Sequence, residues 1–158
     1  LKSAKSDEIE VGPVPTRAFD RAFKSRKPAT LALTERFPGV LNAPSLVVEL
    51  ADKSKGYSRG DEPYVVNLTL LPHTEQDLVW METAMGRGSV EILSRGYGNC
   101  RVTATAVNHV WRVQFYNSMD TLILDTFEVT AMPEVALAAA EDLIESGERI
   151  LEVLEAIK

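Results

Sequence analysis

The chain has 158 residues, 45% of them hydrophobic, a size that supports one domain with a real core and leaves no room for two large ones. Its formal charge of −6 and pI near 5.0 argue against a broad basic surface for tracking phosphates, so nucleic acid is not an expected partner. A single cysteine, Cys100, excludes an internal disulfide and a thiolate metal cage built by one chain, and no run approaches the ~18 apolar residues needed to span a bilayer.

The first residues lack the apolar middle of a signal peptide, and a soluble, cytoplasmic protein is expected. Residues 1–40 read as a partly extended N-terminal arm interrupted by Pro13, Pro15 and Pro28, and residues 41–158 as one domain. Within the arm, Ala18, Phe19, Ala22 and Phe23 lie at helical spacing. They form either a short amphipathic turn that docks on the body or on a neighbouring subunit, or part of a frayed tail.

Residues 44–52 carry Leu46, Val47, Leu50 and Ala51 on one helical face, and the following KSKGYSRGDEP segment is a polar loop. Residues 64–71 (YVVNLTLL) suit a strand closed by Pro72. Thr74 and Asp77 then resemble a capping box, in which the Thr hydroxyl takes an amide of the first turn while the acid reaches back. The helix they start runs to Met85, with Leu78, Met81 and Met85 on one side. Trp80 lies nearly opposite, so it makes either a second buried contact or a contact with a partner.

Gly86 and Gly88 bound a turn, and Val90, Ile92 and Leu93 follow in a strand that reverses at Gly96-Tyr97-Gly98. The next strand, 101–107, offers the small residues Ala104 and Ala106 to something bulky across its face. In residues 110–116, Trp111, Val113 and Phe115 share one face, and residues 121–130 form a further strand. The expected fold class is α+β, an antiparallel meander of about four strands with two to three helices packed on one face. The last of these helices carries a stripe of Leu143, Ile144, Gly147, Ile150, Leu151, Leu154 and Ile157 opposite a row of acids. The stripe packs either on its own sheet or on a second chain.

Groups that could carry chemistry are sparse. His73 and His109 sit in different segments with no carboxylate at short metal-ligand spacing, and Cys100 has no base beside it in sequence. The segments GRGS (86–89) and GYG (96–98) lack the spacing and the strand, turn and helix order of a phosphate loop. Glu134, Glu141 and Asp142 are more simply solvated acids, two of them at a helix start, than an acid/base pair. No catalytic residue, metal ligand or cofactor is expected, and the residues point to a protein that binds.

The run NLTLLPHTEQD (67–77), the spacing from Gly86 and Gly88 to Gly96-Tyr97-Gly98, the pairs Ala104-Thr105 and Val110-Trp111, the Pro133-Glu134-Val135 segment and AAEDL (139–143) together resemble the conserved C-terminal unit of HupH/HyaF-type hydrogenase expression proteins. The resemblance covers residues 65–157. It implies a non-enzymatic, chaperone-like accessory of [NiFe] hydrogenase maturation that binds the immature iron–sulfur small subunit and works beside other accessory proteins. It also implies that the last helix begins near Ala140, which leaves residues 133–137 as an exposed, extended connector. Pro133, Glu134, Val135, Tyr97 and Trp80 are then the candidate partner contacts, and Gly86, Gly88, Gly96 and Gly98 shape the loops. Trp111 is either a core anchor or a further contact. The family's longer members suggest that two chains pair as a homodimer, through the sheet edge or the Leu143 to Leu154 stripe. The alternative function is a redox or metal-handling protein in which two chains share a cluster or ion through Cys100 and the histidines.

Overall fold

The computed structural model describes residues 9–31, 35–96 and 98–157. In chain order these form α1 (Thr16–Arg21), α2 (Ala43–Gly56), β1 (Tyr64–Asn67), α3 (Glu75–Met85), β2 (Glu91–Gly96), β3 (Gly98–Ala104), β4 (Val110–Tyr116), β5 (Leu122–Val129) and α4 (Ala140–Ala156). The strands make one antiparallel sheet of five in the order β1-β5-β4-β3-β2. The α+β class and the meander of β2 to β5 agree with expectation. The additional strand is β1, which pairs with β5 at the far edge, Val66 opposite Phe127.

β1 is shorter than the expected 64–71. The Asn67 side chain accepts the Thr69 amide at 3.0 Å and turns Leu68–Leu70 into a single 3₁₀ turn, which tucks Leu68 into the core. The helix at 44–52 is longer than expected, and Pro44 in its first turn costs no hydrogen bond there.

Alternation along the strands divides the core in two. Val66, Val110, Phe127 and Val129 face α2 and α3, where Val47, Leu50, Trp80, Met81 and Met85 complete one cluster. Val102, Ala104, Trp111 and Val113 point to the opposite face and meet Val14, Ala22 and Met132. The expectation that helices lie on one face therefore needs correction. The arm covers the second face, with Phe23 edge-on to Trp111 at 5.3 Å between ring centroids. Ala104 lies on this face, but β3 ends there and leaves Ala106 outside the strand expected over 101–107, and of the two alternatives for the arm the docked one is found. Trp111 is a core anchor, with no exposed surface and an indole N–H that donates to the Thr130 carbonyl at 3.1 Å.

Gly86 and Gly88 do more than turn the chain. A Cβ on Gly88 would lie 2.2 Å from the Ala22 carbonyl oxygen and 2.6 Å from that of Thr105, because the loop is pressed between the arm and the end of β3. The amides of Gly88 and Ser89 donate to Ala104 and Ala22 at 2.8 and 3.0 Å across this seam.

Helix α4 begins at Ala140, as the resemblance implies, but no residue in it is buried. Ile144 and Leu151 are each 64% exposed and Ile157 75%, so of the two alternatives for the stripe, packing on its own sheet is not the one found.

Candidate partner-binding surface

The sheet face under α2 and α3 is only half covered. Register places Arg112 and Gln114 of β4, Arg101 and Thr103 of β3, and Glu91, Leu93 and Arg95 of β2 on this same face, running outward from the edge of α3. At the boundary Arg112 grips Asp125 with two hydrogen bonds, Nε at 2.9 Å and Nη2 at 2.6 Å, and reaches Glu82 of α3 with Nη1 at 2.5 Å. Burial works to lower the pKa of this guanidinium, but bonding and charge from Asp125 and Glu82 outweigh it and raise it, so Arg112 is held charged. The ion triad seals the edge of the apolar core, and the sheet beyond it turns polar.

Farther out, Glu91 is paired with Arg87 at 2.5 Å and Arg101 at 3.3 Å. Next to them a shallow concavity of about 300 Å³ is lined by Leu93, Arg95, Asn99, Arg101, Tyr116 and Asp120. Leu93 stands 59% exposed between these charges, and Arg95 has no carboxylate partner among the described residues. An exposed apolar side chain on an edge strand, beside the unpaired Arg95 and the paired Arg101, suits an acidic or amphipathic partner segment. This patch was not singled out from sequence. The signal was present in the alternation of Glu91, Leu93 and Arg95, which puts a leucine on a charged face.

The patch ends at the β2–β3 turn. Tyr97 lies outside the described residues, and its flanking Gly96 and Gly98 close the ladder as a register pair. Trp80 is not a surface contact. It is 4% exposed, and its indole N–H donates to the Glu35 carbonyl at 3.0 Å, so α3 is packed on two sides.

The connector 133–137 also departs from expectation. Pro133 is buried, while Glu134 and Val135 are exposed, and residues Glu134–Ala136 form a 3₁₀ turn rather than an extended run. The Ala138 amide donates to the Pro13 carbonyl at 2.8 Å and ties the connector to the arm. Between arm, β2 and connector lies an open groove of about 550 Å³, with Val14, Ala18, Val90, Ile92 and Leu137 along it.

The ionisable groups considered for chemistry lie apart. His73 is exposed, with its ring Nδ1 2.9 Å from the Leu71 carbonyl oxygen. His109 adopts φ 61° in the β3–β4 turn and sits between the rings of Phe23 and Tyr57. Cys100 is buried on the arm-covered face, and burial, together with the charge of Glu128, raises its pKa. Among the described residues no three His, Cys, Asp or Glu side chains converge as a metal site, and no helix is long and apolar enough to cross a membrane.

Comparison with known proteins adds a lineage to this geometry. Residues 40–157 match the family described as HupH hydrogenase expression protein, C-terminal conserved region. The hydrogenase expression/formation protein HupH of Rhodobacter capsulatus is 62% identical over 158 residues, 100% of this chain and 57% of that protein. The hydrogenase expression/formation protein HoxQ of Cupriavidus necator is 47% identical over 152 residues, 96% of this chain and 54% of its own length. A solved structure, the hydrogenase expression protein HupH from Thiobacillus denitrificans, superposes with a TM-score of 0.64 at 25% identity, covering 74% of this chain and 97% of that one. The chain thus spans about half the length of the curated relatives it matches.

Proposed function

The chain belongs to the HupH hydrogenase expression protein family, and from that premise we propose that it is a non-catalytic, cytoplasmic accessory of [NiFe] hydrogenase maturation. It binds the immature iron–sulfur small subunit and holds it, beside other accessory proteins, until assembly. The observation that carries this reading is the uncovered half of the sheet face, where Leu93, Arg95, Arg101 and Tyr116 surround one concavity.

A binding role also accords with how the perturbed groups are used. Asp77 spends its carboxylate on backbone amides, and Cys100 fills a core position on the arm-covered face. The open patch is neither a deep pocket nor an apolar plate. It is a shallow, charged strand surface of the kind that takes an extended or helical segment of another protein. Glu134 and Val135 offer a separate exposed site for a further accessory protein.

The test is affinity recovery from hydrogenase-producing cells. The small subunit should be recovered with the unaltered chain and lost with Leu93→Asp or Tyr97→Ala, while the circular dichroism spectrum stays the same. Recovery of unrelated proteins only would contradict the proposal.

A further inference from the structure

We propose that two copies of this chain associate by exchanging α4, each copy seating its apolar stripe in the groove between the arm and β2 of the other. The stripe needs cover. A helix of 17 residues with no buried position and no side-chain N-cap is marginal by itself in water, because helices of this length draw their stability from packing. Ile144 and Leu151 are each 64% exposed along the stripe.

Charge decides between candidate covers. Helix α4 carries Glu141, Asp142, Glu145, Glu148, Glu152 and Glu155 against one arginine, Arg149. Two such helices laid together would set like charges side by side. The groove offers the opposite sign. Along its arm side Arg17, Arg21, Lys24 and Arg26 line an adjoining concavity of about 540 Å³, and none of them is in an ion pair with a described residue. The acid on the β2 side, Glu91, is already held by Arg87 and Arg101. An apolar floor with an unpaired basic rim therefore matches an apolar stripe with acidic flanks.

The tether excludes the chain's own helix. Ala138 is bonded to Pro13 at the lip of the groove and α4 starts at Ala140, so one residue separates the fastening from the helix. That leaves only Ala139 in which the chain could reverse to lay α4 back over its own groove. Because each α4 leaves from the lip of its own groove, a two-fold axis brings it to the same place on a second copy. The exchange then makes two identical contacts and closes as a dimer. The groove shares Leu93 and Val135 with the surfaces proposed above, yet the pairing does not rest on the hydrogenase reading, since its test reads the mass of this chain alone and involves no partner protein.

Light scattering coupled to gel filtration, at micromolar concentration, should give twice the chain mass of 17.4 kDa. Arg17→Glu with Arg21→Glu should weaken the dimer at least about tenfold, and adding Glu148→Lys with Glu152→Lys to the same chain should restore it. Leu151→Asp should give a monomer. All these positions are exposed, so the body folds in every variant. A monomeric unaltered chain, a dimer indifferent to the arm reversal, or a dimer that survives Leu151→Asp would each overturn the proposal.

Discussion

The Asp77 carboxylate, fully buried at the start of α3, accepts the backbone N–H of Ala43, the first residue of α2, at 3.0 Å. The same oxygen takes the amides of Leu41 and Asn42 at 2.8 and 3.0 Å, and the second oxygen takes that of Thr74 at 3.0 Å. One side chain therefore caps two helices and ties their N-terminal ends together. Asp77→Ala is expected to cost about 3 kcal/mol or more, since a lost cap costs about 1–2 kcal/mol at each helix and the stranded amides add to it. Urea denaturation measures the loss.

The same site sets an acid limb of stability. Burial works to raise the pKa of Asp77, but the amides of Ala43, Thr74, Leu41 and Asn42 outweigh it and hold the carboxyl below its usual range. A depressed carboxylate contributes stability that is complete above its unfolded pKa and is lost as pH falls through the folded one. The stability gap between the unaltered chain and Asp77→Asn should therefore narrow below about pH 4.

Glu128 has the opposite sign. Burial, reinforced by the charge of Glu134, raises its pKa, and the hydrogen bond from Thr126 offsets only part of this. The folded state prefers the protonated carboxyl, so stability from this group is lost as pH rises from the unfolded to the folded pKa. Glu128→Gln should melt higher than the unaltered chain at neutral pH, and the two should converge in acid. A lower melting temperature at neutral pH would contradict this assignment.

How much of this was legible in the sequence depended on distance along the chain. Thr74 and Asp77 lie three residues apart, and their reciprocal bonds are found as expected from the capping pattern alone. The second use of Asp77 joins it to residues 41–43, and no local pattern encodes that separation. Trp80 was ambiguous because helical periodicity shows which side a residue takes and not how many sides are covered. The carbonyl of Glu35 and the core cluster supply the missing side. For α4 the stripe was plain, but an amphipathic pattern states only that a partner surface is needed and not whose it is.

Gly88 shows why the arm belongs to the fold. Gly88→Ala would drive a methyl group into the carbonyls of Ala22 and Thr105, and neither backbone can yield without breaking the seam. The expected loss is about 3 kcal/mol, and limited proteolysis should cut between residues 9 and 31 faster than in the unaltered chain.

Cys100 should be a slow thiol. It is 6% exposed and its pKa is raised, so both access and thiolate fraction are reduced. Alkylation at neutral pH should be slow in the folded chain and fast in denaturant. Rapid native alkylation would revive the reading in which this residue serves redox or metal chemistry.

Titration of the purified chain with purified hydrogenase small-subunit precursor tests the open sheet face most directly. Saturable binding is expected, weakened at least about tenfold by Leu93→Asp or Arg101→Glu and unchanged by Val79→Asp on the exposed side of α3. Absence of binding, or equal loss with all three variants, would contradict a partner site on this face.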